Sequence, residues 1–118
     1  MTSAPKILLA EDDLVLLLDM QDRLERLGCH VVGPAGSVDK AQQVLDCESP
    51  DAAVLDVVLK GQSVAPIARR LLSQNIPCLL VTAYTRESIS DETLARLPRL
   101  QKPVRDAMLK QALEDLLR

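Results

Sequence analysis

The chain has 118 residues, a formal net charge of −3, 47% hydrophobic and 26% charged residues. That is one domain's worth of chain, with enough apolar residues to fill a core without disulfide staples. It has no Trp or Phe, a single Tyr and no dominant Lys/Arg cluster, which removes base-stacking platforms and a phosphate-tracking surface, so nucleic acid is not an expected direct partner.

The first apolar run, KILLA (Lys6–Ala10), is continuous, as a strand covered on both faces would be. Glu11, Asp12 and Asp13 follow directly. Asp12 or Asp13 can cap the next segment, in which Leu17, Met20, Leu24 and Leu27 recur at helical spacing before Gly28 stops it. His30–Ala35 is expected as the second strand. Ser37 then caps a second helix, VDKAQQVLDC, with Ala41, Val44 and Leu45 inward. Ala52–Asp56 is the third strand. VAPIARRLLS reads as a third helix whose start is blurred by Pro66. Cys78–Ala83 is the fourth strand, RESISDETLARL a weakly periodic fourth helix, and Pro98–Gln101 the fifth strand. The chain closes on an amphipathic helix carrying Leu109, Ala112, Leu113 and Leu116 on one face. Strands alternating with helices predict an α/β fold with a parallel sheet wrapped on both sides.

Cys29, Cys47 and Cys78 are odd in number and widely spaced, which fits reduced thiols better than a disulfide framework or a zinc site. MTSAPK lacks the layout of a secretion signal, and no apolar run reaches the roughly 18 residues of a membrane span. A cytoplasmic protein without membrane contact is the expectation.

Open parallel sheets bind ligands outside the carboxyl ends of their strands. Here those ends bring Glu11 and Asp12, Asp56, Thr82 and Ala83, and Lys102 to one edge. Crowded carboxylates are unfavourable unless protons or a cation neutralise them. An oxygen-only set, with no His or Cys, favours a hard cation such as Mg²⁺, with Mn²⁺ as substitute. Lys102 adds a mobile charge suited to a phosphate oxygen, and Thr82 a hydroxyl. With no glycine-rich phosphate cradle, the phosphoryl group is not expected to belong to a bound nucleotide. A carboxylate can itself accept a phosphoryl group, and Asp56, alone at the end of the middle run, is the candidate. Each residue alone has a plainer reading: EDD as a helix cap, Asp56 as a turn residue, Thr82 as a strand former, Lys102 as a solvated lysine. Their convergence is what favours a site, with Asp13 set apart as the cap.

LAEDD, DAAVLDVVLKG, VTAY and LQKP stand in the order and spacing of one family. The chain resembles the receiver domains of two-component response regulators over essentially its whole length. The resemblance implies a flavodoxin-like (βα)5 fold, strand order 2-1-3-4-5, with residues 1–118 as one stand-alone receiver domain. It implies that Glu11 and Asp12 are the metal-binding acids, and that Asp56 is both phosphoacceptor and metal ligand. The backbone carbonyl of Val58 would complete the metal shell. Thr82 would be the switch hydroxyl beside the small Ala83, and Lys102 the phosphate-contacting lysine. The Lys102–Pro103 bond is often cis in the family. The implied partner is a histidine kinase or a histidine phosphotransfer protein. The implied output is altered protein contacts or service as a phosphate sink. Such a domain is not a conventional enzyme; it catalyses its own phosphorylation and slow self-dephosphorylation.

Two positions depart from the pattern. Arg99 stands where a strand-five aromatic is frequent, so an aromatic rotamer switch coupled to Thr82 is not available in its usual form. Val104 stands where Phe is frequent. The stretch DVVLKGQSVAPIARRL looks more like the small receivers that accompany certain atypical sensor kinases. Val58 and Tyr84 flank the path of the hydrolytic water in the family, which implies slower self-dephosphorylation than with Val58→Asn. The apolar excess of Val15, Leu16 and Leu18 is accounted for either by packing near the site or by a partner surface, for a kinase or a weak homodimer. Two other readings stand beside this one. A small Mg²⁺-dependent phosphohydrolase would typically want a second acid where Val58 lies. An interaction module that no longer takes phosphate is opposed by the intact set of acids, hydroxyl and lysine.

Overall fold

The computed structural model describes residues 4–118; residues 1–3 of the expected 1–118 span lie outside that range. Five strands form one parallel sheet: β1 (Lys6–Ala10), β2 (His30–Ala35), β3 (Ala52–Leu55), β4 (Cys78–Thr82) and β5 (Arg99–Gln101). Their spatial order is β2-β1-β3-β4-β5, the expected 2-1-3-4-5. Four helices connect them, α1 (Leu14–Arg26), α2 (Val38–Cys47), α3 (Ala65–Ser73) and α4 (Glu92–Ala95), and α5 (Asp106–Leu116) follows β5.

Alternation along the strands sends neighbouring side chains to opposite faces. Ile7 and Leu9 of β1 join a core with Leu17, Met20 and Leu24 of α1 and Leu109 and Leu113 of α5. Leu8 and Ala10 join the other core, with Ala41 and Leu45 of α2, Ile67, Ala68 and Leu71 of α3 and Leu94 of α4. Both faces are therefore covered, and β1, β3 and β4 read as unbroken apolar runs for that reason. The register between β1 and β2 breaks after Leu8, where Gly33 (φ +95°) and a cis Gly33–Pro34 bond lie in β2. A Cβ on Gly33 would stand 3.0 Å from the Ala35 amide nitrogen, so the local path admits only glycine without a shift.

Local chemistry sets the helix ends. Asp13 accepts from the Leu16 amide at 3.1 Å and starts α1, and Ser37 accepts from Lys40 N at 3.1 Å and starts α2. Pro66 falls in the first turn of α3, where a missing N–H costs nothing. The expected fourth helix over 86–97 is not continuous. It divides into a 3₁₀ turn at Arg86–Ser88 and the four-residue α4. Asp91 takes an extended backbone and spends its carboxylate on the Leu94 amide, 3.0 Å away, so it begins a helix instead of continuing one. A second difference lies after β3. Val58–Leu59 and Gln62–Ser63 pair as a small antiparallel ribbon, turned by Lys60 (φ +49°) and Gly61 (φ +80°). No helix among the described residues is long and apolar enough to cross a membrane.

Candidate functional site

The site lies where β1, β3, β4 and β5 end. Backbone pairing aligns those ends: Glu11 N donates to Ala35 O (3.0 Å), Asp56 N to Ala10 O (3.1 Å) and Lys102 N to Thr82 O (2.9 Å). Glu11 and Asp12 thus emerge beside Asp56, and Lys102 comes in from the sheet's far edge.

Carboxylate oxygens of Glu11, Asp12 and Asp56 all lie within 4.8 Å of one another. The Lys102 ammonium stands among them, 2.6 Å from Glu11 Oε1 and 2.8 Å from Asp56 Oδ2. Backbone amides take three more of the oxygens. Asp13 N donates to Glu11 Oε2 (3.1 Å), Val57 N to Asp56 Oδ1 (2.7 Å) and Lys60 N to Asp12 Oδ2 (2.8 Å). The Lys60 amide holds the Asp12 carboxyl below its ordinary range, with the Lys102 charge acting in the same direction. Burial would push the Lys102 ammonium down. The hydrogen bonds and charges of Asp56 and Glu11 together outweigh it and raise Lys102 above the usual lysine value.

The donor set fits a hard divalent cation. The cluster offers three carboxylates, no nitrogen or sulfur ligand, and one ammonium in partial compensation, which leaves an excess of negative charge. Glu11 and Asp56 are mostly buried, with side chains 8% and 12% exposed, whereas Asp12 is open to water.

Not every expected residue joins this knot. Thr82 is fully buried, and its hydroxyl oxygen accepts from the Tyr84 amide at 3.2 Å. Ala83 and Tyr84 begin the loop after β4; their carbonyls accept from Gln101 Nε2 (3.5 Å) and Arg99 Nη1 (3.2 Å). Arg99 therefore ties the edge strand to that loop, from a position where an aromatic is frequent in the receivers the chain resembles. Val58 is half-buried in the ribbon, and the Lys102–Pro103 bond is cis. His30 is exposed at the start of β2, away from the site. Cys29 and Cys78 are buried, and Cys47 is exposed.

Two contributors carry no sequence signal. Lys60 acts through its backbone amide, which side-chain patterns do not reveal. Arg23 reads as one of several helix arginines, yet its guanidinium reaches Val104 O and Asp106. A groove of about 480 Å³ runs from Glu11, Asp56 and Lys102 toward Leu16, Met20 and Val104.

Comparison with known proteins places this geometry in a family. No family model matches the chain. The solution structure of SdrG from Sphingomonas melonis Fr1 is 32% identical, with a TM-score of 0.85 over 100% of both chains. A response regulator receiver domain (CheY-like) from Methylobacillus flagellatus superposes with a TM-score of 0.83 over 97% of this chain and 99% of that one; at 20% identity it shows the fold alone. The DNA-binding transcriptional activator DevR/DosR of Mycobacterium tuberculosis is 37% identical over 90 residues, covering 73% of this chain and 42% of that protein. The chain belongs to the response regulator receiver family, whose members take part in phosphoryl-accepting signal transduction. It spans less than half the length of the curated relatives it matches, from 35% to 42%.

Proposed function

We propose that Asp56 accepts a phosphoryl group from a phosphohistidine, carried by a histidine kinase or a histidine phosphotransfer protein. An Asp56 carboxylate oxygen attacks phosphorus, the phosphorus–nitrogen bond breaks, and the electron pair leaves on the imidazole. Lys102 meets the charge on the transferring oxygens, and the Thr82 hydroxyl and Ala83 amide flank the same strand ends. Glu11, Asp12, Asp56 and the Val58 carbonyl are the residues assigned to Mg²⁺. When bound, the cation offsets negative charge on the phosphoryl oxygens. The observation that carries this reading is the placement of the Lys102 ammonium against Asp56 inside a cluster of three carboxylates.

We further assign residues 1–118 to one receiver domain that signals by altered contacts or drains phosphate from a partner. The exposed Val15, Leu16 and Leu18 of α1 are its assigned partner-facing residues, for a kinase or a second copy. The test is acyl-phosphate formation from a small phosphodonor with Mg²⁺. Labelling is expected in the parent protein and absent from Asp56→Asn; labelling undiminished in Asp56→Asn overturns the assignment.

A further inference from the structure

Lys102 is carried by a weak support. β5 has only three residues, it lies at the edge of the sheet, and none of them is fully buried. The backbone link from Lys102 to the sheet is its bond to Thr82 O. The 102–105 segment beyond it leads straight into α5.

Arg23 braces that segment from the other side. It sits on α1, one turn beyond Met20, and its side chain is only 11% exposed despite its charge. Its Nε donates to Asp106 Oδ1, the first residue of α5, at 2.7 Å, and its Nη2 donates to Val104 O. Nη1 lies 3.6 Å from Asp19 of its own helix. One planar fork thus spans both ends of the turn after Pro103. A guanidinium fixes direction as well as distance, which a lysine at the same place would not do. Burying it there without partners would be costly, so the contacts on the segment are what make the position tolerable.

We propose that Arg23 is a positioning residue for phosphoryl transfer. It holds the 102–105 segment between α1 and α5 and so sets where the Lys102 ammonium stands against Asp56. Near the reacting atoms a displacement of about 1 Å can cost up to two orders of magnitude in rate, so loss of the fork is expected to slow labelling about tenfold. The inference rests on Asp56 being the phosphoacceptor, which the Asp56→Asn comparison tests by itself.

The experiment uses Arg23→Met, which keeps the apolar stem, and Arg23→Lys, which keeps the charge without the fork. With a small phosphodonor and Mg²⁺, Arg23→Met is expected to label about tenfold more slowly, and Arg23→Lys at an intermediate rate. In a Lys102→Ala background, Arg23→Met should change nothing further, because its effect passes through Lys102. A role confined to stability would give the same fold-loss in both backgrounds, and that result overturns the proposal. So does a parent-like rate in Arg23→Met. If Arg23→Met does not fold, Asp106→Asn loosens one arm of the fork and should show a smaller loss with the same dependence on Lys102. The Lys102 ammonium signal in ¹H–¹⁵N spectra is a readout independent of labelling. It should shift in Arg23→Met and stay put in Arg26→Met, whose arginine pairs with exposed Asp22. If the parent protein does not label, the proposed function falls, and an unmoved Lys102 signal in Arg23→Met would overturn the positioning role separately.

Discussion

Lys102 serves as an internal counterion. Its ammonium shares Glu11 and Asp56, and both carboxylates are largely shielded from water. Removing one partner of such a cluster leaves charge buried without compensation. Lys102→Met is therefore expected to lose roughly 3 kcal/mol in metal-free buffer, at the low end for a broken buried pair, since Asp12 keeps the cluster's edge wet. Mg²⁺ should restore more of the melting temperature in Lys102→Met than in the parent, because the cation then meets no competing ammonium. Thermal unfolding with and without Mg²⁺ checks both; equal Mg²⁺-induced shifts would contradict the counterion role.

Among the elements, α4 is the shortest α-helix and is held by two side chains. It has four residues, too few to hold themselves helical. Leu94 pins it to the core, and Asp91 caps it while pairing with Arg69 at 3.0 Å. Asp91→Ala should cost about 1 kcal/mol, the usual worth of an N-cap. The Leu94 amide first, and Arg69 second, hold the Asp91 carboxyl below the usual carboxylate range. A depressed carboxyl stabilises the fold above the unfolded value and loses that contribution as pH falls through the folded one. The stability gap between the parent and Asp91→Asn should thus be full above the ordinary carboxylate range and shrink as pH falls through the lower, folded value. Urea unfolding at a series of acidic pH values measures the gap.

The same element shows what the sequence leaves open. β1, β3 and β4 are legible because a strand buried on both faces must be apolar throughout. α1, α2 and α5 are legible because one buried face imposes a period. The 86–97 stretch has the composition of a helix but places Asp91 where its carboxylate competes with helix continuation. The 58–63 ribbon is too short for any period to register. At the site, Glu11, Asp12, Asp56 and Lys102 are readable because each stands at the end of a recognisable strand. Arg23 is not, because its two hydrogen-bond partners, Val104 and Asp106, lie more than 80 residues away and one of them is a backbone carbonyl.

Across the whole molecule, the fold gathers charge at one edge of an apolar slab. Two cores clamp the sheet, while like charges meet where it ends. An ion that binds this edge in the folded state alone stabilises everything behind it by mass action, by about 2.7 kcal/mol at a hundredfold excess over Kd. Mg²⁺ is therefore expected to raise the melting temperature by several degrees. The rise should be smaller in Asp12→Ala, which removes a carboxylate without touching either core. An identical rise in Asp12→Ala would remove Asp12 from the metal site.

Tyr84 has a consequence for how the molecule can be observed. It is the only aromatic side chain in the chain. It sits two residues past Thr82, half in solvent, with its amide on the Thr82 hydroxyl and its carbonyl on Arg99. The protein's entire intrinsic fluorescence thus comes from one phenol ring at the rim of the site. The core is optically silent, and the loop after β4 reports its own surroundings without any label.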